Sequence, residues 1–116
     1  MKTREAIEVR RGDVLWIQCD RKTRTCVVVS NDIANRFGHA ITVVPTQAHT
    51  IARAARAYMV DIRGPHSSLT EARVANASMV MTYDRHRVVK RAGRISPDAQ
   101  RALDRALAMH LGLVPV

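Results

Sequence analysis

Aromatic residues are scarce in this 116-residue chain: Trp16, Phe37, Tyr58 and Tyr83 are all it has. A sequence-tolerant platform for single strands stacks successive bases on several rings, so that kind of surface is disfavoured. Cysteine is scarcer still. Cys19 and Cys26 are too few for a disulfide scaffold and lack zinc-ligand spacing; they read as two buried small hydrophobes flanking a hairpin turn. The five glycines are isolated, so no phosphate-cradling loop is present. The histidines at 39, 49, 66, 86 and 110 are scattered, with no HExxH and no Cys/His cluster. Neither a metal nor another cofactor is expected. No apolar run approaches the ~20 residues of a membrane helix. The opening Met1-Lys2-Thr3-Arg4-Glu5 runs into charge rather than an apolar signal core, which predicts a cytoplasmic protein. No repeat, low-complexity stretch or linker divides the chain, so residues 1–116 read as a single domain.

What is abundant is arginine. Nineteen Lys plus Arg against ten Asp plus Glu leave a formal charge of +9, and sixteen of the nineteen are Arg. A forked guanidinium suits phosphate, and a field of this sign favours polyanions, whether nucleic acid or an acidic protein. The densest run is Arg85, Arg87, Lys90, Arg91 and Arg94. It reads either as a solvated surface or as a patch for phosphate or an acidic partner. Arg53 and Arg56 sit in a long Ala-rich connection, residues 49–57, of the kind that displays function on a rigid scaffold.

The hydrophobic pattern changes period along the chain. Residues 13–19 form a compact apolar strand, a polar turn occupies 20–25, and β-branched 26–29 returns as its hairpin partner. Residues 31–38 are punctuated as a loop, 40–44 form a strand ended by Pro45, and 58–62 and 74–81 are further strands closed off at Gly64-Pro65 in between. Residues 84–90 suit a short turn of helix. Ser96 then caps a helix with Pro97 in its first turn. Ala99, Ala102, Leu103, Ala106, Leu107, His110 and Leu111 share its inner face, and Gly112 ends it. The expectation is a small antiparallel sheet with a C-terminal helix docked on it.

Two blocks are distinctive: Arg11-Gly12-Asp13-Val14-Leu15-Trp16, and Arg24-Thr25-Cys26-Val27-Val28-Val29-Ser30-Asn31-Asp32. They resemble the opening of the MazF/PemK (Kid-like) toxin family, in which "RGDIYW" leads to "RPVVVVSND". The likeness continues through Asn35-Arg36-Phe37 and Ile41-Thr42-Val43-Val44-Pro45, weakly through residues 74–82, and through Gly93-Arg94-Ile95-Ser96. The resemblance implies a small SH3-like antiparallel β-barrel with a C-terminal helix, and a symmetric homodimer. It also implies the toxin half of a type II toxin–antitoxin pair, cutting single-stranded RNA without a metal and silenced by an acidic cognate antitoxin.

Carried over residue by residue, the family's catalytic arginine falls on Arg24. Its hydroxyl partner, from "VVPxT", falls on Gln47, with Thr46 one place early, so either side chain is a candidate. Candidates for RNA contact are Asn31, His39, Arg53, Arg56, Asn76 and Ser78, and His39 and His49 are candidate bases. The chain also departs from the family. The long first hairpin loop shrinks to residues 20–23, and the proline after the arginine is Thr25. Asn76 and Ser78 stand where some members carry an Arg and an Asp for acid–base work, and Met79 replaces a glutamine. Two rival readings follow: a relative that binds RNA or antitoxin without cutting, and a gyrase poison on the same barrel.

Overall fold

The computed structural model describes residues 7–62 and 73–115; Gly64, Pro65, His66 and the opening five residues lie outside that range. In chain order the elements are β1 (Asp13–Cys19), β2 (Lys22–Val28), α1 (Asp32–Phe37), β3 (Ala40–Ala48), α2 (Ile51–Ala54), β4 (Met59–Asp61), β5 (Arg73–Asn76), β6 (Met81–Asp84), a 3-10 turn (Arg85–Arg87), β7 (Val88–Arg94) and α3 (Pro97–His110). All pairings are antiparallel, in the path β4-β5-β3-β2-β1-β7 with β6 beside β3. The fold is mostly β with a C-terminal helix. It is barrel-like, but among the described residues the path stays open between β4 and β7.

β1, β2 and β3 read as apolar runs because both of their faces are covered. On one face Val14, Val27 and Val44 share a core with Leu103, Ala106 and Leu107 of α3. On the other, Leu15, Ile17, Cys26, Val28, Ile41 and Val43 gather with Val88. Helix α3 starts as its sequence dictates, with Ser96 Oγ accepting from the Ala99 amide at 3.1 Å. It ends where Gly112, at φ 72°, turns the chain so that Leu113 N–H reaches the Ala108 carbonyl at 2.8 Å. His110 is exposed rather than on the packed face.

Several boundaries differ from the sequence expectation. Cys19 pairs with Lys22, so the first hairpin turns on Asp20 and Arg21 alone, and Asp20 takes up a φ of 51°. A short polar side chain tolerates that left-handed conformation. Residues 23–25 are therefore strand. The expected loop at 31–38 holds α1, capped by the Asn31 side chain accepting from the Ala34 amide at 2.8 Å. β3 runs through Pro45, which falls where β3 changes partner from β6 to β5, so a missing N–H is tolerated there. The expected strand 74–81 is split. Three steps along β3, from Thr46 to Val43, are matched by six opposite, from Ala75 to Met81. The basic stretch 88–94 is an edge strand, β7, which shows no apolar alternation because charge protects an edge.

Gly12 and Asp13 tie the start of β1 to the end of β2 and to the end of β7. Gly12, at φ 90°, donates to the Val28 carbonyl at 2.9 Å and accepts from Ile95 N–H at 3.0 Å; a Cβ there would lie 2.7 Å from the Gln100 side chain. The Asp13 carboxylate is fully buried. It accepts from Arg94 Nη1 at 2.8 Å and from the Arg10 amide at 2.9 Å. Removing it takes the acceptor from both donors and leaves a polar hole at a fully buried position. Asp13→Ala is therefore expected to cost about 2–3 kcal/mol in urea denaturation, and a loss under about 0.5 kcal/mol would contradict this role.

Candidate active site

Strand alternation decides which candidate residues meet. β2 pairs with β3 through Cys26–Pro45, Val27–Val44 and Val28–Val43. One step further, Thr25 Oγ1 and Thr46 Oγ1 lie 2.5 Å apart, both buried. Continuing that register sets Arg24 against Gln47 on the opposite face, because successive side chains alternate. Arg24 and Gln47 thus share a face, and Thr46 points away from it. Thr46 instead accepts from Arg73, at 2.6 Å from Nε to Oγ1 and 3.0 Å from Nη2 to its carbonyl.

Arg24 is half-buried, opposite Ile17 of β1. Among the described residues it is the half-buried arginine with no hydrogen-bond or ion-pair partner within the chain. Its charge does lie near a thiol–phenol cluster. Burial pushes the Cys26 thiol up to about 12, with Cys19 adding to the rise and Arg24 opposing it. Tyr83 is pushed up to about 12 first by its hydrogen bond with Cys19, at 3.2 Å, and then by burial, again against Arg24. Cys19 and Cys26 are both free. The register sets Cys19 against Lys22 and Cys26 against Leu15, an offset of about 13 Å of strand that no disulfide bridges.

Asn76 joins this group. Its Nδ2 donates to Gln47 Oε1 at 3.4 Å, and its Oδ1 accepts from Ser78 Oγ at 2.5 Å and Ser78 N–H at 3.0 Å. Arg53 Nη1 donates to the Ala48 carbonyl at 2.9 Å, just past Gln47, and Arg56 is exposed beyond it. His49 stands 3.9 Å from an Asp61 oxygen. Asn31 and His39 are not brought in: His39 precedes β3, eight residues and about 26 Å of strand before Gln47. Among the described residues no group of three His, Cys, Asp or Glu is placed to hold a metal ion, and no helix is long and apolar enough to cross a membrane.

The basic run splits. Arg85 donates to the carbonyls of Asn35 and Gly38, Arg87 to that of Gln18, and Arg94 to Asp13. These arginines are internal ties. Lys90 and Arg91 remain exposed. Sequence reasoning missed Thr25, Arg73, Cys19, Cys26 and Tyr83 as neighbours of the site, since only the pairing register brings them there.

A family model described as "PemK-like, MazF-like toxin of type II toxin-antitoxin system" matches residues 10–111. No curated protein gives a significant match. Among solved structures, the chain is similar to an endoribonuclease in complex with its cognate antitoxin from a mycobacterial species. That pair is 23% identical with a TM-score of 0.76, covering 94% of this chain and 97% of the other. It is also similar to an endoribonuclease from a mycobacterial species (23% identical, TM-score 0.77, 91% and 93% covered). A third likeness is to the MazE–MazF complex from Deinococcus radiodurans (16% identical, TM-score 0.75, 91% and 98% covered).

The buried thiol gives a pH prediction. The folded state holds the Cys26 proton to about 12, whereas the unfolded chain releases it near the ordinary 9.0. Its contribution is therefore complete below about 9 and is lost as pH rises toward about 12. Denaturation midpoints should fall over that window, and Cys26→Ala should flatten the fall whatever it costs at neutral pH. An unchanged slope in Cys26→Ala would refute the assignment.

Proposed function

The chain belongs to the PemK-like, MazF-like toxin family of type II toxin–antitoxin systems, and on that premise we propose that it is the toxin of such a pair, a metal-independent endoribonuclease that cleaves single-stranded RNA. The observation that carries the reading is Arg24: a half-buried guanidinium with no acceptor of its own among the described residues, across from Gln47. Burial without a partner leaves its donors for an outside anion, and a phosphodiester fits the fork. Attack of the ribose 2′-oxygen on the adjacent phosphorus builds negative charge on the phosphoryl oxygens while the 5′-oxygen departs. Arg24 stabilises that charge and Gln47 supplies an amide donor from the same face. Asn76, itself bonded to Ser78, donates to Gln47, and Arg53 donates to the carbonyl of the next residue, Ala48.

The remaining features fit the same reading. The chain works in the cytoplasm as a homodimer, with Leu111, Leu113 and Val114 exposed past α3 as apolar surface for a second copy. An acidic antitoxin segment meets the exposed Lys90 and Arg91. Asn31 and His39, at the far end of the strands, serve the fold. One observation favours a second reading: Asn76 and Ser78 are bonded to each other and neither titrates, so a member that binds RNA without cutting it is the alternative.

The purified protein should cut single-stranded RNA in the presence of EDTA, leaving a 2′,3′-cyclic phosphate and a 5′-hydroxyl. Arg24→Ala should slow the cut by roughly a hundredfold or more, the scale of losing one oxyanion donor. Arg24→Lys should rescue poorly, and DNA of the same sequence should stay intact for want of a 2′-hydroxyl. Abolition by EDTA, or an Arg24→Ala variant as fast as the parent, would sink the mechanism; intact RNA throughout would select the binding-only reading. Light scattering should return twice the 12.9 kDa of one chain, and a monomer at micromolar concentration would refute the dimer.

A further inference from the structure

We propose that Arg73 is a positioning residue for cleavage, setting the spacing of Arg24 and Gln47 from the opposite face through Thr46 and Thr25. The proposal rests on the RNA-cleaving reading of that pair. The paired register of β2 and β3 runs to Cys26–Pro45, where the proline nitrogen faces away from β2. One step on, the side chains of Thr25 and Thr46 meet as well, Oγ1 to Oγ1 at 2.5 Å. Two hydroxyls buried to 7% and 4% exposure need defined partners, and Arg73 supplies one for Thr46.

The geometry of that supply matters. A guanidinium only donates, so Thr46 is the acceptor at both contacts: its Oγ1 from Nε at 2.6 Å, its carbonyl from Nη2 at 3.0 Å. The side chain and the main chain of Thr46 are thus fixed by one planar group. Gln47 follows Thr46 directly and Arg24 precedes Thr25. A shift of either threonine's backbone is therefore passed to the RNA-facing neighbour. Arg73 comes from β5, opposite Ala48 and on the Thr46 face, so it acts without touching the RNA.

The test separates positioning from scaffolding. Single-turnover cleavage by Arg73→Ala should fall on the order of tenfold or more, because small misplacements of reacting groups are costly. Binding of a 2′-O-methyl RNA, which cannot be cut, should stay within about twofold. Thr46→Val should lose rate in the same way, and Thr46→Ser should recover most of it. Arg73→Lys keeps the charge but not the two-pronged grip. It covers the case in which the alanine variant fails to fold, and should also be slow. In the free protein, the side-chain Nε–H signal of Arg24 and the amide signal of Gln47 should move in Arg73→Ala. A lowered melting temperature with unchanged rate and unchanged signals would overturn the proposal. A parent that cuts no RNA would defeat the functional reading instead, and the two signals would still report whether Arg73 positions the pair.

Discussion

The pairing register of β2 and β3 decides which of their side chains look outward. Carried one step past Cys26–Pro45 it sets Thr25 against Thr46, whose hydroxyls meet, and alternation does the rest: the odd-numbered Gln47 and even-numbered Arg24 emerge together on the other face. A slip of one residue would bury the guanidinium and expose a threonine. The register is also held from behind by Val27, Val44 and Ala75, which share the core beneath α3, so packing and hydroxyl pairing select the same alignment.

The charge of +9 divides by role once the structure is known. Arg85, Arg87 and Arg94 spend their donors on carbonyls or on the buried Asp13, closing the ends of helices and strands. Arg73 grips a threonine. Lys90 and Arg91 are exposed and contribute field at the surface, Arg91 also reaching to 4.0 Å from the Asp13 carboxylate. Arg24 belongs to none of these groups: it is half-buried and has no hydrogen-bond or ion-pair partner among the described residues. On the proposed reading its partner is the phosphate of an RNA.

Much of the fold was legible from periodicity. The doubly covered strand 13–19, the helix opened by Ser96-Pro97 and the turn at Gly112 follow from local rules that tertiary contacts do not override. The failures have local causes too. Residues 31–38 look like a loop because Asn31 and Gly38 are turn formers, yet here they bracket a helix of six residues. β7 lacks alternation because one of its edges is charged and, among the described residues, unpaired. Pro45 suggested a strand end, but the proline stands at a change of strand partner. At the site, Arg24 was visible as a motif position, whereas the choice between Thr46 and Gln47 was not. That choice depends on which parity of β3 shares a face with Arg24, a fact of pairing across 23 residues that no local pattern carries.

The most direct test is a structure of the protein bound to a single-stranded RNA whose 2′-hydroxyls are methylated. The account predicts a phosphodiester within hydrogen-bond reach of the Arg24 guanidinium, with the Gln47 amide on the same phosphate or its ribose, and Thr46 still bonded to Arg73 behind them. RNA lying along Lys90 and Arg91 with Arg24 unoccupied, or seated on the Thr46 face, would contradict it.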